Sequence, residues 1–204
     1  MRKEKMSNNK KVKTKTWFIN WYKYCQAYLQ LARIGLLELK NETYRKNFDM
    51  FQQDNIYTDK ILLVPIIWSL KHAIELLLKA LTSRITKEFS ATHENPELHD
   101  EIKRAFSSLK ISDPKLLEEL ISLSDKYYQL KFWNSFSKSN SDISDNLNDI
   151  FRYPESKVNF SLGIGKLHEV TKEDQLELEN DIKRLHKLLL KLHSKITEAK
   201  IRKK

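Results

Sequence analysis

The stretch WSLKHAIELLLKALTSRI, residues 68–85, is the densest apolar run in the chain, yet three polar residues interrupt it at helical spacing. These are His72, Glu75 and Lys79. At 100° per residue their side chains share one narrow stripe of a helix, while Ile, Leu and Ala occupy the other faces. The pattern predicts a buried central helix that carries one polar stripe.

Two interpretations of this stripe are open. In the first, it is the thin solvent-facing edge of a core helix, where Glu75 and Lys79 form a favourable i, i+4 pair. In the second, it lines a groove that holds an anion or a nucleotide. The spacing is the same in both cases, so the sequence leaves both open.

The composition favours an all-helical chain. Its 204 residues include only three glycines and four prolines, and Leu, Lys, Glu and Ile dominate. Thr171 and Asp174 have the spacing of a capping box for the last helix. That helix carries a seam of apolar residues at alternating four- and three-residue steps: Leu178, Ile182, Leu185, Leu189, Leu192 and Ile196. We expect an all-α, antiparallel bundle of four to six helices with a long C-terminal helix.

The domain organisation follows from where apolar residues occur. Residues 1–14 have almost nothing to bury and are predicted to form a disordered basic tail, followed by one helical domain over 15–200 and a basic end over 201–204. The first helix is predicted to start near Thr16. It presents an apolar row that we expect to form core or a dimer surface, with base stacking as the alternative: Trp17, Trp21, Tyr24, Tyr28, Leu31 and Leu36. Asp59 is predicted to cap the central helix, which should end near Ser83 with Pro65 close to its first turn.

The net charge of +10 is concentrated at the two ends of the chain. Residues 1–16 carry seven basic residues and one acidic residue, and residues 183–204 carry nine and one. The stretch between them is mildly acidic. Basic ends of this kind bind phosphate backbones without sequence preference, or serve only to keep a protein in solution.

Several classes of function are disfavoured. The single Cys25 cannot form an internal disulfide, the six histidines are scattered without ligand spacing, and three glycines cannot build a phosphate-binding loop. We therefore predict no metal and no cofactor. Neither a signal peptide nor a membrane span is recognisable, which predicts a cytoplasmic protein without membrane contact.

Three short motifs follow one another along the chain: HAIELLLKAL with Glu75 and Lys79, LHDEIKRAF with His99, and FRYPE with Arg152 and Tyr153. In this order the chain resembles the HEPN family of helical bundles, in the branch that carries an Arg-Tyr-Pro turn. The resemblance covers roughly residues 60–200. It implies a bundle that is often a homodimer, is associated with RNA or nucleotides, and works in phage-defence, toxin–antitoxin or stress systems, with a protein partner encoded in the same operon.

Catalytic members of that family cleave RNA without metal, using an arginine followed after four to six residues by a histidine. No arginine in this chain precedes a histidine by that gap. The preferred hypothesis is therefore a non-catalytic module that binds RNA, a nucleotide or a partner protein. Its candidate ligand-binding residues are His72, Glu75, Lys79, His99, Arg152 and Tyr153.

Two alternatives stay open. The first is a ribonuclease toxin with a displaced active site, in which Arg152 stabilises the phosphorane and His72 or His99 acts as the base. The alternative to this catalytic role is a structural one, in which Arg152 pins its turn to a helix C-terminus or to Glu75. The second alternative is a structural helical protein that buries the Trp17/Trp21 face and the seam of the last helix against another chain.

Overall fold

A computed structural model describes residues 2–41, 58–109, 111, 114–133, 145 and 170–202, with side-chain surroundings from Phe18 and Leu63 onward in the first two segments. In these segments the chain forms five α-helices and no strand, which confirms the all-α bundle. The helices are α1 (Arg2–Leu39), α2 (Thr58–Thr86), α3 (Asn95–Leu109), α4 (Lys115–Tyr128) and α5 (Lys172–Arg202).

The central helix α2 is buried on nearly every side. From Ala73 to Ser83 each of its side chains is excluded from solvent. Helix α2 begins at Thr58, earlier than predicted, so Asp59 lies inside the helix and is not its cap, and Pro65 lies beyond the first turn. A proline there removes one backbone hydrogen bond, a cost that the apolar packing of the helix offsets.

Helices α1 and α2 pack side by side in opposite directions. Tyr28 contacts Trp68 and Gly35 lies against Ile66, whereas Trp21 contacts Phe89 beyond the end of α2. Helix α5 also runs antiparallel to α1, because Tyr22 contacts His193 and Lys40 pairs with Glu179. Helices α2 and α5 therefore run in the same direction, and their C-terminal ends lie together.

The buried face of α1 matches the predicted row only in part. Leu36 is buried as predicted, and Trp21 and Tyr28 pack against the core, whereas Tyr24 and Leu31 are exposed. The other buried side chains are smaller and lie one step round the helix: Cys25, Leu29, Ala32 and Leu39. Small residues allow two helix backbones to approach closely, so counting bulky apolar residues locates the face only in part. Helix α1 also starts at Arg2 and not near Thr16. Lys and Glu favour helix formation even where little is buried; the predicted domain boundaries stay predictions.

The last helix, α5, follows the sequence prediction closely. Thr171 Oγ1 accepts a hydrogen bond from the Asp174 amide at 3.2 Å, and an Asp174 carboxylate oxygen accepts one from the Thr171 amide at 2.9 Å, which confirms the capping box. The six seam residues of α5 are all buried inside the chain. The seam is thus filled by the protein's own helices, so the hypothesis that it packs against another chain is wrong.

Among the described helices, none combines the length and apolar composition that a membrane span requires.

Candidate functional site

The polar stripe of α2 forms a hydrogen-bonded cluster around Glu75. The Glu75 carboxylate lies 2.9 Å from Lys79 Nζ, 3.3 Å from His72 Nδ1 and 2.8 Å from His93 Nδ1, the last of these in the loop before α3. Lys79 donates along the helix, and the two imidazoles donate from either side. We call these four residues the Glu75 cluster.

Within the Glu75 cluster, the Glu75–Lys79 ion pair is buried, whereas the His93 side chain is 66% exposed. Glu75 is 3% exposed and Lys79 is 4% exposed, so the predicted ion pair is confirmed but its exposure is not. Burial alone raises the pKa of Glu75, but the hydrogen bond from His72 and the charge of Lys79 outweigh it and lower the pKa to about 2. The carboxylate is therefore ionised at neutral pH, and Lys79 is occupied by it.

His99 belongs to a different part of the fold. It is buried on α3, where its Nδ1 lies 3.6 Å from Asp125 of α4, and no described hydrogen bond or ion pair connects it to the Glu75 cluster. Burial lowers the pKa of His99, and the nearby Asp125 carboxylate only partly offsets this. A neutral, buried imidazole is a poor phosphate ligand. Arg152 and Tyr153 lie outside the described residues.

An aromatic pocket of about 400 Å³ opens beside the Glu75 cluster, between α1 and α2. Its walls are Trp21, Tyr28, Leu76 and the imidazole of His72, and its rim carries Tyr24 and Phe89. Both rim residues are large apolar side chains that remain exposed, Tyr24 by 59% and Phe89 by 52%. We call this cavity the aromatic pocket.

The walls of the aromatic pocket are held in place by ring contacts. The His72 ring stacks on Trp68 with centroids 5.2 Å apart, and Tyr28 meets the His72 ring edge-on at 4.5 Å. Trp21 and Phe89 lie 5.0 Å apart. Because the Glu75 carboxylate accepts a hydrogen bond from the His72 imidazole, Glu75 orients one wall of the pocket.

The sequence pointed to His72 but not to the pocket. The first helix was predicted to present an aromatic row with base stacking as an alternative, and Trp21, Tyr24 and Tyr28 of that row do line the pocket. Phe89 and His93 come from the loop after α2. No spacing rule connects a loop residue to a helix face, so both were missed.

A buried ion pair was also missed. Lys71 of α2 is fully buried, where its ammonium pairs with Asp145 and lies 4.6 Å from the centre of the Tyr128 ring. The Asp145 amide donates to the Tyr128 carbonyl at 2.7 Å, which holds this residue against the end of α4. Lys71 and Asp145 are 74 residues apart, beyond the reach of any sequence pattern.

The described residues contain no group of three or more His, Cys, Asp and Glu side chains that is arranged to hold a metal ion. Comparisons with protein-family models, curated proteins and solved structures find no match to this chain. Membership of the HEPN family therefore stays a prediction from the three sequence motifs.

Proposed function

We propose that this protein is a non-catalytic module that binds RNA or a nucleotide by stacking a base in the aromatic pocket. One observation carries the proposal: Tyr24 and Phe89 leave more than half of their surfaces exposed over a cavity with aromatic walls. Stacking on protein aromatic rings is the usual way in which unpaired bases are bound, and it tolerates any base.

The charge of the site favours a base over an organic cation. An aromatic cage for a cation gains from unbalanced negative charge nearby. Here the one buried carboxylate, Glu75, is already balanced by Lys79 at 2.9 Å. The whole chain carries a net charge of +10, which repels cations and attracts phosphate-bearing ligands.

Polar groups at the rim suit the edge of a base. Asn20 lines the aromatic pocket and is exposed, so its amide offers both a donor and an acceptor. Asparagine pairs with adenine in this way in nucleic-acid complexes. The resemblance to HEPN proteins adds the expectation of a defence or toxin–antitoxin role, which is part of this proposal.

Binding of adenosine tests the proposal, because a nucleoside has a base and no phosphate. We expect Phe89→Ala to weaken adenosine binding by about tenfold, since stacking on one ring is worth about 1–3 kcal/mol. Leu190→Ala is the matched control, because Leu190 is equally exposed at 52% but lies on α5. Equal affinities of wild type and Phe89→Ala, measured by calorimetry, would overturn the proposal.

We also propose that the chain forms a homodimer through the outer face of α1. Leu31, Ile34 and Leu37 are all exposed there, and a row of large apolar side chains is typical of an interaction surface. Leu31→Lys should convert a dimer to a monomer in light scattering coupled to size-exclusion chromatography. A wild-type protein that is still monomeric at about 100 µM would contradict the proposed homodimer.

A further inference from the structure

Several cations meet where α2 and α5 end. Arg84 of α2 contacts His193 of α5, with Nη1 2.5 Å from the imidazole Nδ1, and also donates to Thr197 Oγ1. Lys200 reaches back from α5 and donates to the Arg84 carbonyl. Lys87, just beyond α2, has φ = 66° and lies beside Lys200. We call Arg84, Lys87, His193 and Lys200 the basic end cluster.

None of Arg84, Lys87 and Lys200 forms an ion pair within the described part of the chain. Other basic side chains of the bundle do have acidic partners, as Arg184 has in Glu119 at 2.5 Å and Lys183 in Glu179 at 2.6 Å. Burial, together with the neighbouring Lys87 and Arg84, lowers the pKa of Lys200 to about 8. The cations repel one another, and an anion between them would relieve the repulsion.

Capping of helix ends explains only part of this arrangement. The C-terminus of a helix carries about half a negative charge, which attracts a cation such as Lys200. Two helix ends therefore balance about one of the three full positive charges. No acidic side chain among the described residues pairs with these cations to balance the remaining positive charge.

We propose that the basic end cluster binds a phosphate group. Lys87 and Lys200 supply ammonium donors, which are common ligands of phosphate oxygens. Arg84 cannot accept a hydrogen bond, so His193 Nδ1 accepts from it and the imidazole keeps its proton on Nε2. His193 thus serves as an acceptor for Arg84, and the phosphate ligands of the site are the ammonium groups of Lys87 and Lys200.

This site is independent of the aromatic pocket, because it needs no base. Both inorganic phosphate and a phosphate ester offer the required chemistry. Ribose 5-phosphate carries the ester without a base, so comparing the two probes identifies the source without engaging the stacking surface.

Calorimetric titration of the full chain with each probe, at constant ionic strength set with chloride, tests the proposal. We expect saturable binding that Lys200→Gln and Lys87→Gln each weaken at least about tenfold, or about 1.4 kcal/mol. Lys191→Gln removes the same charge from an exposed position on α5 and should change affinity less than about twofold. Phe89→Ala should have no effect, which separates this result from that of the proposed function.

The two probes distinguish a free anion from an ester: tighter binding of ribose 5-phosphate assigns the site to the ester, and tighter binding of inorganic phosphate to the free anion. Because Lys87 is exposed, Lys87→Gln keeps the test valid even if Lys200→Gln impairs folding. The proposal is overturned if neither probe binds saturably, or if Lys191→Gln weakens binding as much as the cluster variants do.

Discussion

Glu75 accepts hydrogen bonds from three side chains while almost fully buried. A buried carboxylate with several donors is stable only when it is ionised, and removing its charge leaves the donors without an adequate partner. The residue therefore links the stability of α2 to the orientation of His72 in the aromatic pocket.

The first prediction concerns Glu75→Gln. The pKa of Glu75 falls from an ordinary 4.5 to about 2 on folding, so the charge stabilises the fold above pH 4.5 and this contribution is lost as the pH falls towards 2. At pH 7 the variant should lose about 2–3 kcal/mol of unfolding free energy. The deficit relative to wild type should shrink between pH 4.5 and 2, as measured by urea unfolding at several pH values.

Glu88→Gln is the control for Glu75→Gln, because Glu88 is exposed in the loop after α2. Its unfolding free energy should stay within about 0.5 kcal/mol of wild type. A deficit of Glu75→Gln that is the same at pH 3 as at pH 7 would show that the carboxylate charge is not what stabilises the cluster.

The second prediction concerns RNA cleavage. The one described Arg–His contact joins Arg84 to His193, and in it the imidazole accepts through Nδ1 and keeps its proton on Nε2. Such a histidine cannot take the proton of a 2′-hydroxyl. We expect transfer RNA to stay intact when it is incubated with the protein in EDTA, as resolved on a denaturing gel.

Arg152→Ala and Arg84→Ala are informative companions in the cleavage assay. Cleavage by wild type that Arg152→Ala abolishes would establish the alternative with a displaced active site. Cleavage that Arg84→Ala abolishes would place the nuclease at the basic end cluster. Either result would contradict the non-catalytic function proposed for this chain.

At the scale of the helices, α1 and α2 approach each other closely at Gly35. A methyl group added there would lie 2.6 Å from Ile66 Cγ1, closer than packed carbon atoms tolerate. Helix propensity favours alanine over glycine by about 1 kcal/mol, whereas overpacking a core costs about 1–3 kcal/mol. The steric cost is the larger of the two.

The third prediction is that Gly35→Ala destabilises the protein by about 1 kcal/mol, the difference between these two effects. In an Ile66→Ala background the clash disappears, so the same substitution should stabilise by about 0.5–1 kcal/mol. Urea unfolding of the four proteins of this cycle measures both values. If Gly35→Ala stabilises the wild-type background as well, the two helices are farther apart than the structure has them.

Some elements could be read from the sequence because local rules specify them. The capping box at Thr171 and the seam of α5 involve residues within one helix, where spacing fixes position. The stripe of His72, Glu75 and Lys79 also lies within one helix, and the predicted pairing of Glu75 with Lys79 is confirmed.

The features that were missed all depend on how helices meet. Lys71 with Asp145, and Arg84 with His193, join residues from distant parts of the chain. The burial of Glu75 and Lys79 depends on how other elements cover α2. The face of α1 was predicted only in part, because close helix packing selects small residues, which hydrophobicity alone ranks low.

At the scale of the whole molecule, two basic helix ends lie at the same end of the bundle. Helices α1 and α5 are antiparallel, so the N-terminal end of α1 and the C-terminal end of α5 point the same way. Of the described residues, 2–16 and 183–202 each carry a net charge of +6. The basic end cluster lies at the same end, which makes this end the expected contact for a phosphate backbone.

The fourth prediction is a steep loss of affinity for single-stranded RNA as salt increases. Each phosphate contact contributes about 0.7 to the slope of log affinity against log salt concentration. Replacing both Lys10 and Lys11 with Gln should lower the slope by up to about 1.4. Fluorescence anisotropy measures the slope. The same double change at Lys103 and Lys115, outside the basic ends, should leave it unchanged. Equal slopes for both variants would contradict phosphate contact through the basic ends.

The most direct measurement is a two-dimensional ¹H–¹⁵N spectrum of the indole groups during titration with adenosine. The Trp21 indole lies in the wall of the aromatic pocket, whereas the Trp133 indole donates to the Asp174 carbonyl at 2.9 Å, away from the pocket. We predict that the Trp21 resonance shifts progressively to saturation and that the Trp133 resonance stays in place. A Trp21 resonance that does not move at saturating adenosine would contradict the account.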